Sequence, residues 1–225
     1  WANSVSGEIL ELMAGTGRIS IPLAREGARL TCIDNSTAML AVLRRKLRDA
    51  GLRARVLCVD ACNLPFDRDR FSLVLLPFQG FTELATAEDQ LDLLRAVSSV
   101  LEASGKFVCT SHNPAVRLRS VDDTWREIGV FTRPDGGVLR LSLRTRYDEA
   151  ARNVIGQQRV AVTDPSGTTS VMNVDLRFSL VSLEQMEELA GRAGLRIVSL
   201  HGDYSGGSYD PESSPAIIAV FEKAA

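Results

Sequence analysis

Histidine and cysteine are scarce in this chain of 225 residues, which has two of the first and four of the second. Two histidines leave few ligands to complete a zinc site, so we expect no metal. No apolar run approaches the ~20 residues that a membrane-spanning helix needs, and the start of the chain does not resemble a signal peptide. We therefore expect a cytoplasmic protein with no membrane partner, and we interpret its cysteines as small residues of the core: Cys32, Cys58, Cys62 and Cys109.

An excess of one charge is also missing, because 26 basic residues stand against 28 acidic ones and the formal net charge is −2. Proteins that bind nucleic acid normally present a basic surface, so no nucleic-acid partner is expected. Hydrophobic residues make up 45% of the chain, which is ample for a buried core. The length fits one α/β domain with an insertion.

Apolar runs alternate with helical patterns in residues 1–112, which is typical of βαβ units and a parallel sheet. A helix carrying Leu91 and Leu94 is predicted to stop at Ser104-Gly105, just before the fifth strand. The α/β pattern resumes in residues 181–225, where Ser182 and Gln185 form a capping box that opens a helix. The sequence predicts a Rossmann-like, mostly parallel sheet of seven strands, at residues 8–13, 29–33, 54–59, 71–76, 106–111, 195–200 and 216–221.

Residues 113–180 lie between these two parts, and from residue 126 onward they alternate with a period of two. Leu139, Leu141 and Leu143 point one way, while Arg140 and Arg144 point the other. Proline- and glycine-containing turns separate the strands. We expect an inserted antiparallel sheet with one buried face and a solvated charged face that carries cross-strand ion pairs.

Glycines and acids follow the predicted strands at their carboxyl ends, where open α/β sheets bind ligands. Gly15 and Gly17 let the backbone turn sharply and approach a ligand closely. Asp34 ends the second strand, and a carboxylate there can accept hydrogen bonds from ribose hydroxyls. Ser20 stands where the dinucleotide fingerprint has its third glycine, which disfavours a nicotinamide cofactor. A site for S-adenosylmethionine needs no third glycine, and Asp60 would then face the adenine amino group.

This combination resembles the class I S-adenosylmethionine-dependent methyltransferases over nearly the whole chain. Residues 10–18 are similar to the first motif of that family, residues 31–34 to the second, residues 59–61 to the third and residues 76–78 to the fourth. Two departures are plain. Met13 occupies the site of the first glycine, and only about seven residues precede strand one, where family members usually carry a helix that helps to cover the cofactor.

The resemblance implies S-adenosylmethionine as the cofactor. The glycine loop would pass under its methionine part, and Glu11 would order the amino end directly or through water. The second and third motifs would hold ribose and adenine, and the fourth would line the sulfonium. The nine residues implied are Glu11, Ala14, Gly15, Gly17, Asp34, Asp60, Ala61, Pro77 and Phe78.

Residues near the methyl acceptor are less well defined by the sequence. His112 follows strand five and is the candidate base or acceptor-orienting residue, since an imidazole can take a proton near neutral pH. Asn113 is predicted to cap a short helix, and Arg117 within it could bind an anionic acceptor. Tyr204 and Tyr209 lie in a glycine-rich loop at the same rim, which we expect to be mobile and to contact substrate.

The inserted sheet resembles that of sugar amine and glycine-type N-methyltransferases, which implies transfer to a nitrogen or oxygen of a small molecule. An RNA or protein methyltransferase, a non-catalytic cofactor-binding partner protein and a nicotinamide oxidoreductase remain as alternatives. A homodimer is compatible with the sequence. The acceptor itself is not identified by any residue pattern.

Overall fold

A computed structural model describes residues 1–224, and within that range it contains five α-helices and eleven strands. The helices are α1 (Ser20–Arg25), α2 (Thr37–Asp49), α3 (Ala87–Val100), α4 (Pro114–Leu118) and α5 (Leu183–Arg192). The strands are β1 (Glu8–Glu11), β2 (Leu30–Asp34), β3 (Arg55–Cys58), β4 (Phe71–Leu76), β5 (Leu101–His112), β6 (Arg126–Thr132), β7 (Val138–Asp148), β8 (Asn153–Thr163), β9 (Thr169–Ser179), β10 (Leu195–His201) and β11 (Ala216–Lys223).

Seven strands form the main sheet in the order β10-β11-β5-β4-β1-β2-β3. β11 runs antiparallel to both of its neighbours, and the other pairs are parallel. The remaining four strands form a separate antiparallel sheet, so the predicted fold class is confirmed. From β1 the chain continues to β2 and β3 at one edge of the sheet, and it then crosses back to place β4 on the other side of β1. The carboxyl ends of β1, β2, β4 and β5 therefore meet at one edge, at the point where ligands bind in such sheets.

Hydrogen bonds fix two helix starts, and the capping box predicted for the second is confirmed. The Ser36 hydroxyl accepts a bond from the backbone N–H of Met39 at 3.3 Å, which caps α2. At α5, the Ser182 hydroxyl accepts from the backbone N–H of Gln185, whose side chain accepts from the backbone N–H of Ser182 in return. Both bonds satisfy N–H groups that the first helical turn leaves open.

The predicted stop of the third helix at Ser104-Gly105 is wrong. α3 ends at Val100 and β5 begins at once, so both residues lie inside the strand. The pairing of β4 with β5 jumps in this stretch, from Phe71 opposite Leu101 to Leu73 opposite Lys106. The serine-glycine pair thus marks an irregularity of the β-bulge kind rather than a helix end.

The inserted sheet has the strand order β6-β7-β8-β9 and is fastened to the core at its base. The Ser179 hydroxyl, at the end of β9, accepts a bond from Gln90 Nε2 of α3 at 2.9 Å and donates to the carbonyl of Leu84 at 3.0 Å. We call the side of this sheet that carries Leu139, Leu141 and Leu143 the leucine face. The register places these leucines on one side of β7 and Arg140 and Arg144 on the other, as predicted.

Two expectations about burial are wrong in part. Residues at the tip of the leucine face are open to solvent, with Met172 59% and Phe131 51% exposed, because nothing within residues 1–224 packs over them. Cys32 and Cys109 are buried as expected, but Cys58 is exposed because it ends β3, the edge strand of the main sheet. None of the helices in the described residues is long and apolar enough to span a membrane.

Candidate active site

The glycine loop follows β1 and turns through three residues of positive φ. Met13, Gly15 and Gly17 have φ values of 52°, 56° and 88°, a region that glycine enters freely and other residues enter at a cost of about 1–2 kcal/mol. Met13 thus keeps the backbone path of the glycine that it replaces in the motif. A Cβ on Gly17 would lie 2.4 Å from Leu43 Cδ1 of α2. The loop therefore lies directly against α2.

Asp34 connects this loop to the end of β2. One carboxylate oxygen accepts a hydrogen bond from the backbone N–H of Gly15, and the other accepts from that of Ser36, both at 2.8 Å. The side chain is nearly buried at 9% exposure. Each oxygen can accept more than one bond, so the carboxylate remains able to receive two hydroxyl donors. The expected ribose role fits this geometry.

Glu11 lies beneath the loop and is only 1% exposed. Its Oε2 accepts a hydrogen bond from the Ser20 hydroxyl at 2.5 Å, and the Cys32 thiol lies 3.9 Å from the same oxygen. Burial raises the pKa of the Glu11 carboxyl to about 7, although the bond from Ser20 favours the ionised form. A cationic amino group near this carboxylate would favour ionisation further, which suits the role proposed for it at the methionine end.

The third motif forms a turn after β3. Asp60 is exposed and its Oδ1 accepts from the backbone N–H of Cys62 at 2.9 Å. Its second carboxylate oxygen is available to a ligand. Ala61 is 6% exposed and belongs to the main hydrophobic core, so its methyl group anchors the turn to the core.

The fourth motif makes a strained turn after β4. Phe78 and Gln79 both adopt left-handed conformations, with φ values of 54° and 58°. Two hydrogen bonds hold the turn, because Thr110 Oγ1 accepts from the backbone N–H of Gln79 at 2.9 Å and Thr82 Oγ1 donates to the Gln79 carbonyl at 2.7 Å. Consecutive left-handed residues without glycine are costly and are found mainly at functional sites. The turn leaves the Phe78 ring 39% exposed at the edge of the sheet.

Sequence reasoning missed Arg18, which meets this turn. The centre of its guanidinium lies 4.3 Å from the centroid of the Phe78 ring, an attractive cation–π distance. This contact joins the glycine loop to the fourth motif across the β1–β4 crevice. Arg18 follows Gly17 directly in the first motif, but nothing in the sequence marks Phe78 as its partner.

His112 lies at the end of β5, next to the fourth motif. The register pairs Leu76 of β4 with Cys109, so the residues that follow Leu76 run beside residues 110–112. The imidazole is half-buried, 5.1 Å from the Phe178 ring between centroids. Burial, aided by the charge of Arg117, lowers the pKa of His112 to about 4. The ring is therefore neutral near pH 7 and is a weak base.

Arg117 contacts the same phenylalanine. The centre of its guanidinium lies 5.2 Å from the Phe178 ring centroid, and Nη1 donates to the Ser120 hydroxyl at 2.6 Å. Its Nε is buried and has no hydrogen-bond partner within residues 1–224. Burial lowers the pKa of this guanidinium from its usual range. His112, Arg117 and Phe178 thus form one cluster between β5 and the inserted sheet, and an anionic group could satisfy the free donor.

The glycine-rich loop between β10 and β11 is tied down rather than loose. Asn113 donates to the carbonyls of Pro211 and Ser214, both at 2.9 Å, and its Oδ1 accepts from the backbone N–H of Ala115. It therefore caps α4, as predicted, and also anchors the loop. Gly202 donates to the carbonyl of Gly207 at 2.8 Å.

The two tyrosines of this loop lie in different surroundings. Tyr209 packs against the main core and lines a cavity of about 350 Å³ that Asn113 and Ser182 share. Burial raises the pKa of its hydroxyl. Tyr204 is 65% exposed, and no hydrogen bond or ring contact joins it to His112 in the described residues. The structure brings Arg117, but neither tyrosine, to the imidazole.

The residues of this edge fit S-adenosylmethionine better than a dinucleotide. The buried carboxylate of Glu11 could face a cationic amino group, the carboxylate of Asp34 could accept from hydroxyls, and the exposed ring of Phe78 follows β4, where the resemblance implies the sulfonium. No cluster of three or more His, Cys, Asp or Glu within residues 1–224 could hold a metal ion.

Known proteins match this chain over its whole length as well as over its core. Residues 9–105 match the methyltransferase domain family. The cypemycin N-terminal methyltransferase of a Streptomyces species is 26% identical over 212 residues, which cover 94% of this chain and 82% of that protein.

Solved structures match the fold over nearly the whole chain. The CcbJ methyltransferase of Streptomyces caelestis has a TM-score of 0.83 at 24% identity, covering 98% of this chain and 85% of its own. CalS10, an amino pentose methyltransferase of Micromonospora echinaspora solved with S-adenosylmethionine bound, has a TM-score of 0.75 at 18% identity and covers 97% and 85%.

The glycine loop with its two carboxylates, the sheet order and these matches agree on the family and on the cofactor. Residues 9–105 thus match a methyltransferase domain, and the whole chain has the fold of S-adenosylmethionine-dependent methyltransferases.

Proposed function

We propose that this methyltransferase acts on an amine nitrogen of a small molecule or short peptide. The observation that carries the proposal is the neutral, weakly basic imidazole of His112, held beside Phe178 and Arg117 at the end of β5. This cluster lies next to the turn that carries Phe78, where the methyl group is expected to be presented.

The low pKa of His112 favours nitrogen over oxygen as the acceptor. A hydroxyl is a weak nucleophile that needs a base of suitable strength as it attacks, and an imidazole with a pKa near 4 is poorly matched to that task near neutral pH. A neutral amine already carries a lone pair. The chain then has only to orient it, and a neutral imidazole can do so by accepting an N–H hydrogen bond.

The cofactor supplies a methyl group on a positively charged sulfur, already activated for displacement. The chain's own contribution is alignment and exclusion of water. Asp34 and the glycine loop would hold the adenosine and methionine ends, and Glu11 would face the amino group. Transfer would leave the methyl group on the acceptor nitrogen and release S-adenosylhomocysteine, and the proton of the resulting ammonium would pass to solvent, because the imidazole of His112 is too weak a base to hold it.

Two relatives support an amine acceptor, since one is described as an N-terminal methyltransferase and another as an amino pentose methyltransferase. The unpartnered Nε of Arg117 adds a preference for acceptors that also carry an anionic group near the amine. The net charge of −2 does not favour RNA as the acceptor.

The proposal is tested with matched acceptors that differ only in the acceptor atom. Purified protein and S-adenosylmethionine are incubated with a library of amino sugars, amines and short peptides, and with the corresponding alcohols and N-terminally blocked peptides. We expect S-adenosylhomocysteine release and a mass gain of one methyl group from amines only, and His112→Ala should reduce turnover without weakening cofactor binding. Methylation of the alcohols or blocked peptides instead would contradict the nitrogen assignment.

A further inference from the structure

Basic side chains are concentrated in one short segment at the junction of α2 and β3, residues 44–55, which we call the basic segment. It holds six of the 26 basic residues of the chain and one of the 28 acidic residues, so its formal charge is +5 and that of the rest of the chain is −7. All six cations are exposed. They are Arg44, Arg45, Lys46, Arg48, Arg53 and Arg55.

Ion pairs within the chain leave most of this charge unbalanced. Arg48 Nε lies 4.0 Å from Asp49 Oδ1, and both side chains are largely exposed. An exposed pair of this kind contributes little free energy. The other five cations of the basic segment form no salt bridge within residues 1–224. Their charge is therefore available to a partner.

Structural roles account for only part of the basic segment. Lys46 and Arg48 lie in the last turn of α2, where cations stabilise the helix dipole. Arg55 begins β3, the edge strand of the main sheet, and charges on such edges oppose aggregation. Neither role applies to Arg45 or to Arg53, because they lie outside the last helical turn and outside β3.

Three of these arginines surround a cavity between the C-terminal half of α2 and β3, which we call the basic groove. Its volume is about 480 Å³, and Arg44, Arg48 and Arg53 line it. Arg44 Nη2 donates to the carbonyl of Val56 at 3.0 Å, which holds this guanidinium against β3. The remaining lining is aliphatic and at least partly buried, so the groove combines cations with an apolar floor. These aliphatic residues are Leu47, Leu52, Ala54 and Val56.

The chemistry of the basic groove favours an acidic peptide over a nucleic acid. Proteins that bind single-stranded nucleic acids combine positive charge with aromatic side chains that stack on the bases, whereas no aromatic residue of the described chain lines this cavity. The charge of −7 on the rest of the chain would repel a long polyanion that extends past the groove. A peptide that carries both acidic and aliphatic side chains complements the cations and the floor together.

The size and position of the basic groove also suit a short segment. β3 has four residues, which at about 3.3 Å each extend over roughly 13 Å. In the strand order, β3 lies four places from β5, which carries the acceptor cluster, and this corresponds to roughly 19 Å at about 4.8 Å per strand. An occupant of the groove would leave the acceptor side of the molecule free.

We infer that the basic groove is a docking site for an acidic peptide segment of a partner protein. Carboxylates of that segment pair with Arg48 and Arg53, and its aliphatic side chains pack on Leu47 and Leu52. Arginine suits this task because its guanidinium can donate two hydrogen bonds to one carboxylate. Complementary charge of this kind speeds association and selects among partners. The inference does not depend on the acceptor proposed above.

Fluorescence anisotropy with a labelled peptide of repeated Glu-Glu-Leu units, at about 0.15 M salt, tests the inference. We expect the parent protein to bind this peptide and the double variant Arg48→Glu, Arg53→Glu to bind it roughly tenfold more weakly. The control is the double variant Arg25→Glu, Arg68→Glu, which changes the net charge equally at two exposed arginines outside the groove. It should remain within about twofold of the parent. Because all four side chains are exposed, both variants should fold, which circular dichroism checks.

A second peptide distinguishes the basic groove from diffuse attraction between charges. Repeated Glu-Glu-Ser units keep the charge but cannot use the apolar floor, so we expect weaker binding than with Glu-Glu-Leu. The inference would be overturned by a parent protein that does not bind Glu-Glu-Leu, by equal losses in the two double variants, or by equal binding of the two peptides. Tighter binding of single-stranded RNA or of anionic lipid vesicles than of Glu-Glu-Leu would also overturn it, because the surface would then serve a different polyanion.

Discussion

At the scale of single residues, burial of the Glu11 carboxyl raises its pKa to about 7, which makes the stability of the fold depend on pH. An acid with a pKa near 7 stays protonated in the folded protein at a pH where the unfolded chain, with a pKa near 4.5, has already lost its proton. The folded state therefore binds more protons between these two values. The free energy of unfolding must fall as the pH rises through this window, and the full loss is reached above about pH 7.

Glu11→Gln should remove this penalty while keeping an oxygen to accept the bond from Ser20. We expect the variant to exceed the parent in free energy of unfolding by roughly 2–3 kcal/mol at about pH 8, and by much less at about pH 4.5. Urea denaturation at both pH values measures this. A constant difference between the two proteins would show that Glu11 does not titrate in this range.

Glu11→Gln should also weaken binding of S-adenosylhomocysteine, since the neutral amide cannot pair with its ammonium group. Greater stability together with weaker binding of S-adenosylhomocysteine would show that the Glu11 carboxyl lowers the stability of the fold and strengthens cofactor binding.

The imidazole of His112 should titrate far below the usual range of histidine. We expect a midpoint near pH 4, because burial and the Arg117 charge disfavour the imidazolium. The protein has two histidines, so NMR resolves both ring signals and His201→Gln assigns them. A midpoint near 6.5 for His112 would remove the argument against an oxygen acceptor.

At the scale of elements, the energetic cost of crowding the glycine loop against α2 can be measured separately from the cost of a positive φ angle in the loop. Gly17 and Gly27 have φ values of 88° and 79°, but an added Cβ meets Leu43 at 2.4 Å in the first and open space in the second. We expect Gly27→Ala to cost about 1–2 kcal/mol and Gly17→Ala about 1–3 kcal/mol more. Urea denaturation measures both, and equal losses would contradict the packing of the loop on α2.

Elements defined by local patterns were predictable from the sequence. The periodicity of α2 and its serine cap, the capping box of α5 and the alternation in β7 to β9 all depend on neighbours within a few residues. The carboxylate of Asp34 could be placed because the end of a strand is a local feature, and its position beside the glycine loop follows from parallel pairing.

Elements defined by distant contacts were not predictable. Gly105 has a structural role only because β5 pairs irregularly with β4. The left-handed turn at Phe78 and Gln79 depends on bonds to threonines far along the chain, and the Arg18 contact depends on that turn. The low pKa of His112 comes from burial against the inserted sheet, which no local pattern shows.

At the scale of the whole molecule, the leucine face of the inserted sheet runs from its exposed tip to the acceptor cluster at its base. Phe178 belongs to both, since it ends the leucine face and packs against His112. The cofactor edge lies on the main sheet and shares no residue with that face. Variants at the exposed tip of this face should therefore leave cofactor binding unchanged, and calorimetry with Met172→Asp checks this. A weakened affinity would show that the two regions are coupled.

The binding of the cofactor product at the glycine loop and Asp34 is the central claim, and isothermal titration calorimetry with S-adenosylhomocysteine tests it most directly. The parent protein should bind one equivalent. Asp34→Ala should lower the affinity by roughly 100-fold, the effect of losing two hydrogen bonds to a charged acceptor, while Asp49→Ala, an exposed acid at the end of α2, should leave the affinity unchanged. No binding by the parent, or equal affinities in the parent and Asp34→Ala, would contradict the claim.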